Sequence, residues 1–208
     1  MVIAHHLMWT AYGWWLPNDP RGSTSKAIAS DLIAELGKLH GGRKRVQPAS
    51  SDIRAFYGRA QDVLRSPLLA FKPTEFAVLA AAFSATVQKH RYACYAAVFM
   101  PDHTHLVIRK HKHQAEEMIE RFQEESREEL VQVGLRPLGH PVWALGGWKV
   151  FLDHPDGIRR TIKYVEDNPI KWRLPRQAWS FVTPYNGWPL HPGHSPHSPY
   201  ARRLRQLE

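Results

Sequence analysis

His103 and His105 stand two residues apart in the run His103-Thr104-His105-Leu106-Val107-Ile108-Arg109, whose alternation of apolar and polar positions is that of a β-strand. Side chains alternate faces along a strand, so both imidazoles leave the same face and can chelate a divalent ion from a rigid platform. Further along, Tyr164 and Asn168 are four apart in an amphipathic stretch. On a helix they project from one side, ~40° apart in azimuth and ~6 Å apart along the axis. Two imidazoles, an amide oxygen and a phenol together suggest phosphoryl transfer. The imidazoles and the amide hold a metal, the metal polarises a phosphodiester oxygen, and the phenol attacks phosphorus. Hard phosphate oxygens and few protein ligands favour Mg²⁺ or Mn²⁺ over a closed zinc site. A tyrosine nucleophile makes a 5′-phosphotyrosine and leaves a free 3′-hydroxyl, conserving the bond energy for a later joining step.

Each of these residues also has a plainer reading. His-x-His pairs occur on ordinary surfaces. Tyr164 borders a core stripe of Ile158, Ile162 and Val165, where tyrosines commonly sit, and Asn168, before Pro169, suits a helix end. His5 and His6, in an N-terminal apolar run, can add a ligand or a DNA contact if that strand neighbours the hairpin, but hydrogen-bonded strand histidines are commoner and they stay outside the metal set. His111 and His113, flanked by Lys110 and Lys112, read as a basic turn facing DNA or solvent.

Charge narrows the partner. Lys and Arg number 28 against 19 Asp and Glu, a net +9 before any of the 13 His are counted, which points to a polyanion and first to nucleic acid. Arg159, Arg160 and Lys163 precede the tyrosine and Lys171 and Arg173 follow it, so these five are the candidate DNA-binding residues. The single cysteine, Cys94, can form neither an internal disulfide nor a thiolate zinc site, and a reducing cytoplasm fits best. No run approaches the ~18 apolar residues of a membrane span. The apolar start has no basic leader and is broken by His5 and His6, so the chain reads as soluble and unprocessed, with no membrane partner.

The elements that must position these groups follow from periodicity. The pattern predicts a strand over 3–12, then a mixed stretch over 18–72 containing a short helix over 28–39 and a basic loop over 41–51, read as an insertion. A helix over 74–91 carries Phe76, Leu79, Ala80, Phe83 and Val87 at helical spacing. A hairpin follows, with strands over 92–99 and 103–109 about a turn at Pro101 and Asp102. An amphipathic helix over 114–133 with an acidic outer face, a strand over 148–152, and a helix over 155–168 that Pro169 stops complete the order. That order predicts an α+β domain: a ferredoxin-like antiparallel sheet with helices on one face. Residues 1–190 form one domain with the insertion at 18–72, and the His/Pro-rich basic tail, 191–208, reads as disordered. Loop tryptophans can stack bases, whereas Trp148 and Trp179 are expected to be buried.

Three segments, His6-Leu-Met-Trp-Thr-Ala-Tyr-Gly-Trp-Trp-Leu-Pro17, Met100-Pro-Asp-His-Thr-His-Leu-Val-Ile108 and Tyr164-Val-Glu-Asp-Asn168-Pro169, resemble in order and spacing the REP-associated tyrosine transposases. These are single-tyrosine HUH transposases related to the insertion-sequence 200/605 group, and the resemblance spans most of residues 5–175. By position, His103 and His105 match the metal-binding pair, Tyr164 the nucleophile and Asn168 the polar third ligand. Thr104 stands where the family usually has a bulky apolar residue. The resemblance implies cleavage and rejoining of single-stranded DNA at hairpin-forming repeats by an HUH transposase-like fold. Hairpin DNA is then the partner, Mg²⁺ or Mn²⁺ the cofactor, and a monomer or homodimer the working unit. The acidic face from Glu116 to Glu129 is expected to point away from DNA; it also motivates an alternative, a non-catalytic hairpin-DNA-binding protein. An RNA phosphoesterase built on paired His-x-Thr/Ser motifs is set aside because the chain carries none, His103 being followed by Thr and then His.

Overall fold

Four strands form the sheet of the computed structural model, which describes residues 2–23, 25–42 and 44–187. They are β1 (Ala4–Thr10), β2 (Cys94–Phe99), β3 (His103–Arg109) and β4 (Trp148–Leu152), in the order β2-β3-β1-β4, every neighbour antiparallel. This is the ferredoxin-like order that the succession of elements predicts. The tail over 191–208 and Trp188 lie outside the described residues. No helix among the described residues is long and apolar enough to cross a membrane.

Alternation divides the sheet into two faces. Leu7, Trp9, Leu106, Ile108 and Phe99 join a core with α3 (Phe76–His90) and α4 (Ala115–Gln132), which supply Leu79, Phe83, Met118, Ile119 and Phe122. Val98, Val107 and Leu152 join a second core with Ile158 and Val165 of α5 (Pro155–Lys171). The expectation of helices on one face therefore holds for α3 and α4, while α5 takes the opposite face. The reason is apolar area: β2 is buried along its whole length, so a single helical layer would leave Val98 and Val107 in water at ~1.5–3 kcal/mol per large side chain. Thr104 points into the α3/α4 core, where its hydroxyl donates to the Val98 carbonyl at 2.8 Å and is thereby satisfied.

The final helix runs through Pro169 to Lys171 rather than stopping at residue 168. Only one amide donor is lost there, within the last turn, and the Pro169 carbonyl still accepts from Trp172 and Leu174. Trp148, expected inside, is 47% exposed on the edge strand β4, whereas Trp179 packs against the α3/α4 core. The acidic side of α4 lies on the sheet face away from α5, and Glu116 and Glu125 pair there with Lys149 and Lys89.

The stretch over 18–72 holds α1 (Asp31–Ala34) and α2 (Ser50–Val63). Phe56, Tyr57 and Ala60 of α2 form a small core with Trp14 and Leu16. Buried Asp19 pairs with Arg21 at 2.7 Å and accepts a hydrogen bond from the Tyr57 hydroxyl, tying α2 to the loop after β1. That loop and the end of the insertion brace the turn before His103: Ala11 N–H donates to the Asp102 carbonyl at 2.8 Å and Phe71 N–H to the Pro101 carbonyl at 2.8 Å.

Candidate active site

β3 is hydrogen-bonded on both sides, to β1 and β2, so its side chains project from a fixed ladder. His103 and His105 leave the face that carries α5, with ring centroids 4.8 Å apart and planes at 87°. Both Nδ1 atoms are engaged. That of His103 lies 2.6 Å from Oδ1 of buried Asp102, and that of His105 lies 2.9 Å from Nε2 of His6, its diagonal neighbour on β1. A carboxylate only accepts, so His103 carries a proton on Nδ1, and the neutral tautomer of that kind presents its Nε2 lone pair to the site. When His105 donates to His6, its Nε2 is free in the same way. Burial, then the neighbouring His103, His6 and Lys171, holds the His105 pKa well below its ordinary value; burial lowers His6 to about 4. His105 and His6 are therefore neutral near pH 7, the state in which a ring nitrogen binds a metal.

The helix opposite begins with a His154 side-chain cap on the Asp156 amide and Pro155 in the first turn, and packs through Ile158, Ile162 and Val165. Tyr164, 45% exposed, has its ring 5.8 Å from that of His105 and 5.9 Å from that of His6. Eight residues on, the ring of Trp172, 50% exposed, is 6.4 Å from that of His103. Residues 164, 168 and 172 recur every fourth position and share one helical stripe with ~40° of drift per step. Asn168, buried midway along that stripe, donates its Nδ2 to the Tyr164 carbonyl at 3.0 Å, which leaves the amide oxygen for another partner. Lys171 sets its ammonium 4.7 Å above the Tyr164 ring.

The structure thus brings together the residues singled out from spacing: His103 and His105 face Tyr164 and its helix, with Asn168 in the same stripe. The donor set fits a hard divalent ion, because two free Nε2 atoms and one amide oxygen leave positions for phosphate and water. Among the described residues no group of three or more His, Cys, Asp or Glu is arranged to hold a metal, as a closed zinc site would require. Of the five candidate DNA contacts, Arg159 pairs with Asp156 at 3.0 Å and Lys163 with Asp167 at 2.8 Å, whereas Arg160, Lys171 and Arg173 are exposed and make no ion pair among the described residues. Spacing leaves undetermined the contacts that His6, Asp102 and Trp172 make with the histidine pair. Alternation puts His6 on one face of β1, but its contact with His105 depends on strand register, which no local pattern encodes.

No family model matches the chain, and no curated protein does. Among solved structures it is similar to a REP-associated tyrosine transposase bound to a REP hairpin, at 13% identity and a TM-score of 0.44, over 99% of this chain and 82% of that one. It is also similar to a Deinococcus radiodurans R1 protein whose transposase designation is provisional, at 12% identity and a TM-score of 0.38, over 81% of this chain and 91% of that one.

Proposed function

We propose that the chain is a metal-dependent DNA strand-transfer enzyme of transposase type, which nicks and rejoins single-stranded DNA beside a hairpin. The observation that carries this reading is the placement of the Tyr164 and Trp172 rings beside the imidazoles of His105 and His103, with Asn168 between them in sequence. His103, His105 and Asn168 would hold Mg²⁺ or Mn²⁺, which when bound supplies Lewis-acid polarisation of the scissile phosphate. Tyr164 is the nucleophile. Its oxygen bonds to phosphorus as the P–O3′ bond breaks, the phenol proton passes to water at its exposed edge, and the departing 3′-oxygen takes a proton from water. Attack by a 3′-hydroxyl on the phosphotyrosine reverses the sequence and joins strands without consuming a co-reactant. Lys171 stabilises negative charge growing on the phenol and the phosphate. The half-exposed Trp172 indole offers a stacking surface for a base next to the scissile bond, worth ~1–3 kcal/mol. Arg160 and Arg173, with Arg159, Lys163 and Lys171, take the flanking phosphates.

The test uses labelled hairpin oligonucleotides carrying single-stranded flanks, incubated with Mg²⁺ or Mn²⁺ and resolved under denaturing conditions. A protein-linked DNA product is expected, and Tyr164→Phe abolishes it while hairpin binding stays close to that of the parent protein. An adduct that persists in the Phe variant removes Tyr164 as nucleophile. Binding without cleavage, across varied hairpins and both metals, removes the enzyme reading and leaves a hairpin-DNA-binding protein.

A further inference from the structure

Trp148 is presented to solvent by a backbone with little freedom. Gly146 takes φ of 72°, a left-handed conformation that glycine adopts without strain. The side-chain amide of Gln123 on α4 donates to the carbonyls of Ala144 and Gly146 at 3.1 and 2.9 Å. Gly147 lies so close to β1 that a Cβ there would stand 2.9 Å from the Met8 carbonyl oxygen and 2.9 Å from Cδ1 of Ile119, an approach that needs glycine. The strand that follows is thereby fixed against β1. Its first side chain is nevertheless an indole that is 47% exposed and belongs to neither core. It is not an isolated surface residue, because Val150, Tyr164 and Trp172 are exposed as well.

Strand register places that indole. Met8 pairs with His105 on one side and with Trp148 on the other, and His6 pairs with Val150. Residues directly opposite in antiparallel strands share a face, so Trp148 and Val150 lie on the face that carries the two histidines. At ~4.8 Å between strands, the Trp148 backbone is ~10 Å from that of His105, across Met8. Val150 continues the surface beside His6, whose ring stacks on His105 at 5.1 Å. Trp172 follows the helix that packs over β2 and β3, whereas Trp148 stands on the strand beyond β1, so the two indoles flank the imidazoles and Tyr164 from different sides. The Lys171 ammonium, 4.7 Å above the Tyr164 ring, makes the ground between them attractive to phosphate. We propose that Trp148 stacks a nucleobase of the single-stranded substrate, on the side of the scissile phosphate opposite the base that Trp172 receives. The inference rests on the DNA reading given above and adds a specificity-determining residue to it. A base inside a duplex has both faces covered by its neighbours, so a pair of indoles about the scissile phosphate selects unpaired strands on both sides of the cut.

The experiment titrates the full chain carrying Tyr164→Phe, so that binding is read without an adduct, against three labelled probes by fluorescence anisotropy. These are an oligothymidylate, an abasic oligonucleotide of equal length that keeps the phosphates and lacks the bases, and a blunt duplex. Adding Trp148→Ala weakens oligothymidylate binding roughly 5- to 100-fold. The abasic and duplex probes are unaffected, and the salt slope stays the same because no charge is removed. Trp148→Phe keeps an aromatic face and most of the affinity, which separates stacking from folding. Because the indoles take different bases, the losses in Trp148→Ala and Trp172→Ala multiply in the double variant. Oligothymidylate affinity within about twofold of the parent in Trp148→Ala overturns the proposal, as does an equal loss on the abasic probe. Losses that fail to multiply put both indoles on one base and overturn the placement on opposite sides. Loss of self-association on sedimentation, with the DNA affinity of each protomer intact, overturns it in favour of a face that meets a second copy. A parent protein that forms the tyrosine adduct while Trp148→Ala binds normally loses only this inference; one in which Trp148 contributes as stated but no adduct forms loses the reaction and keeps the stacking residue.

Discussion

Replacing His6 by alanine removes the acceptor that faces Nδ1 of His105 at 2.9 Å. The tautomer of His105 that presents a free Nε2 to the site must then bury an unpaired N–H, at about 1–3 kcal/mol. His105 is 1% exposed, so water does not replace the lost partner. The other tautomer relieves the penalty by turning Nε2 from a lone pair into a donor. The cost therefore falls on metal binding more than on the fold: a tenfold loss of affinity corresponds to about 1.4 kcal/mol, so Mn²⁺ should bind roughly 10- to 100-fold more weakly, the range typical of lost outer-sphere partners. His6→Gln keeps an acceptor at comparable reach and restores most of the affinity. Titration of Mn²⁺ followed by electron paramagnetic resonance reads the affinity directly, and ¹⁵N shifts of the His105 ring in the metal-free protein read the tautomer independently of activity. If His6→Ala leaves Mn²⁺ affinity within about twofold and the His105 tautomer unchanged, the hydrogen bond is a packing feature and the assignment of His6 as a positioning residue fails.

Two further outcomes follow from buried charge. In EDTA the native state should lose stability as pH falls below about 6.5, because the unfolded chain takes up a proton that native His6, with its pKa lowered to about 4, refuses. The contribution is complete above the unfolded pKa and declines towards the folded one, by roughly 3 kcal/mol for His6, with His105 acting in the same direction; urea unfolding at pH 7.5 and pH 4.5 measures it, and a flat profile contradicts it. Asp19→Ala leaves the mostly buried Arg21 guanidinium unpaired against Trp15 and Tyr57. It should cost about 3–5 kcal/mol and expose the 18–72 segment to limited proteolysis before the sheet; a loss below about 1 kcal/mol would show that the α2 core holds without that pair.

Much of the scaffold was legible locally. The strands over 103–109 and 148–152 are short apolar runs with clear punctuation, and the helices around Phe83 and Phe122 carry helical periodicity. The helix α2 carries it too, in Ile53, Phe56, Tyr57 and Ala60, but it sits between a basic loop and proline-rich connections that masked its start. The face chosen by α5 was not legible, since an amphipathic stripe shows which side of a helix is buried and not which side of a sheet receives it. Pro169 misled in a different way: the rule that proline ends a helix applies to an interior turn, and here one missing donor near the C-terminus is tolerated. In the site, spacing alone brought Tyr164 and Asn168 to one side of a helix and the two histidines to one face of a strand. His6, Asp102 and Trp172 depend on register, turn geometry and helix docking, which are tertiary quantities.

The account turns on where DNA becomes attached. A hairpin oligonucleotide reaction quenched in acid, digested with protease and nuclease, and sequenced by tandem mass spectrometry locates the linkage. The expected product is the peptide containing Tyr164 bearing a 5′-phosphonucleotide on its phenolic oxygen, formed only with divalent metal. Attachment at any other residue, or nicked DNA accumulating with no protein-bound fraction, would contradict it.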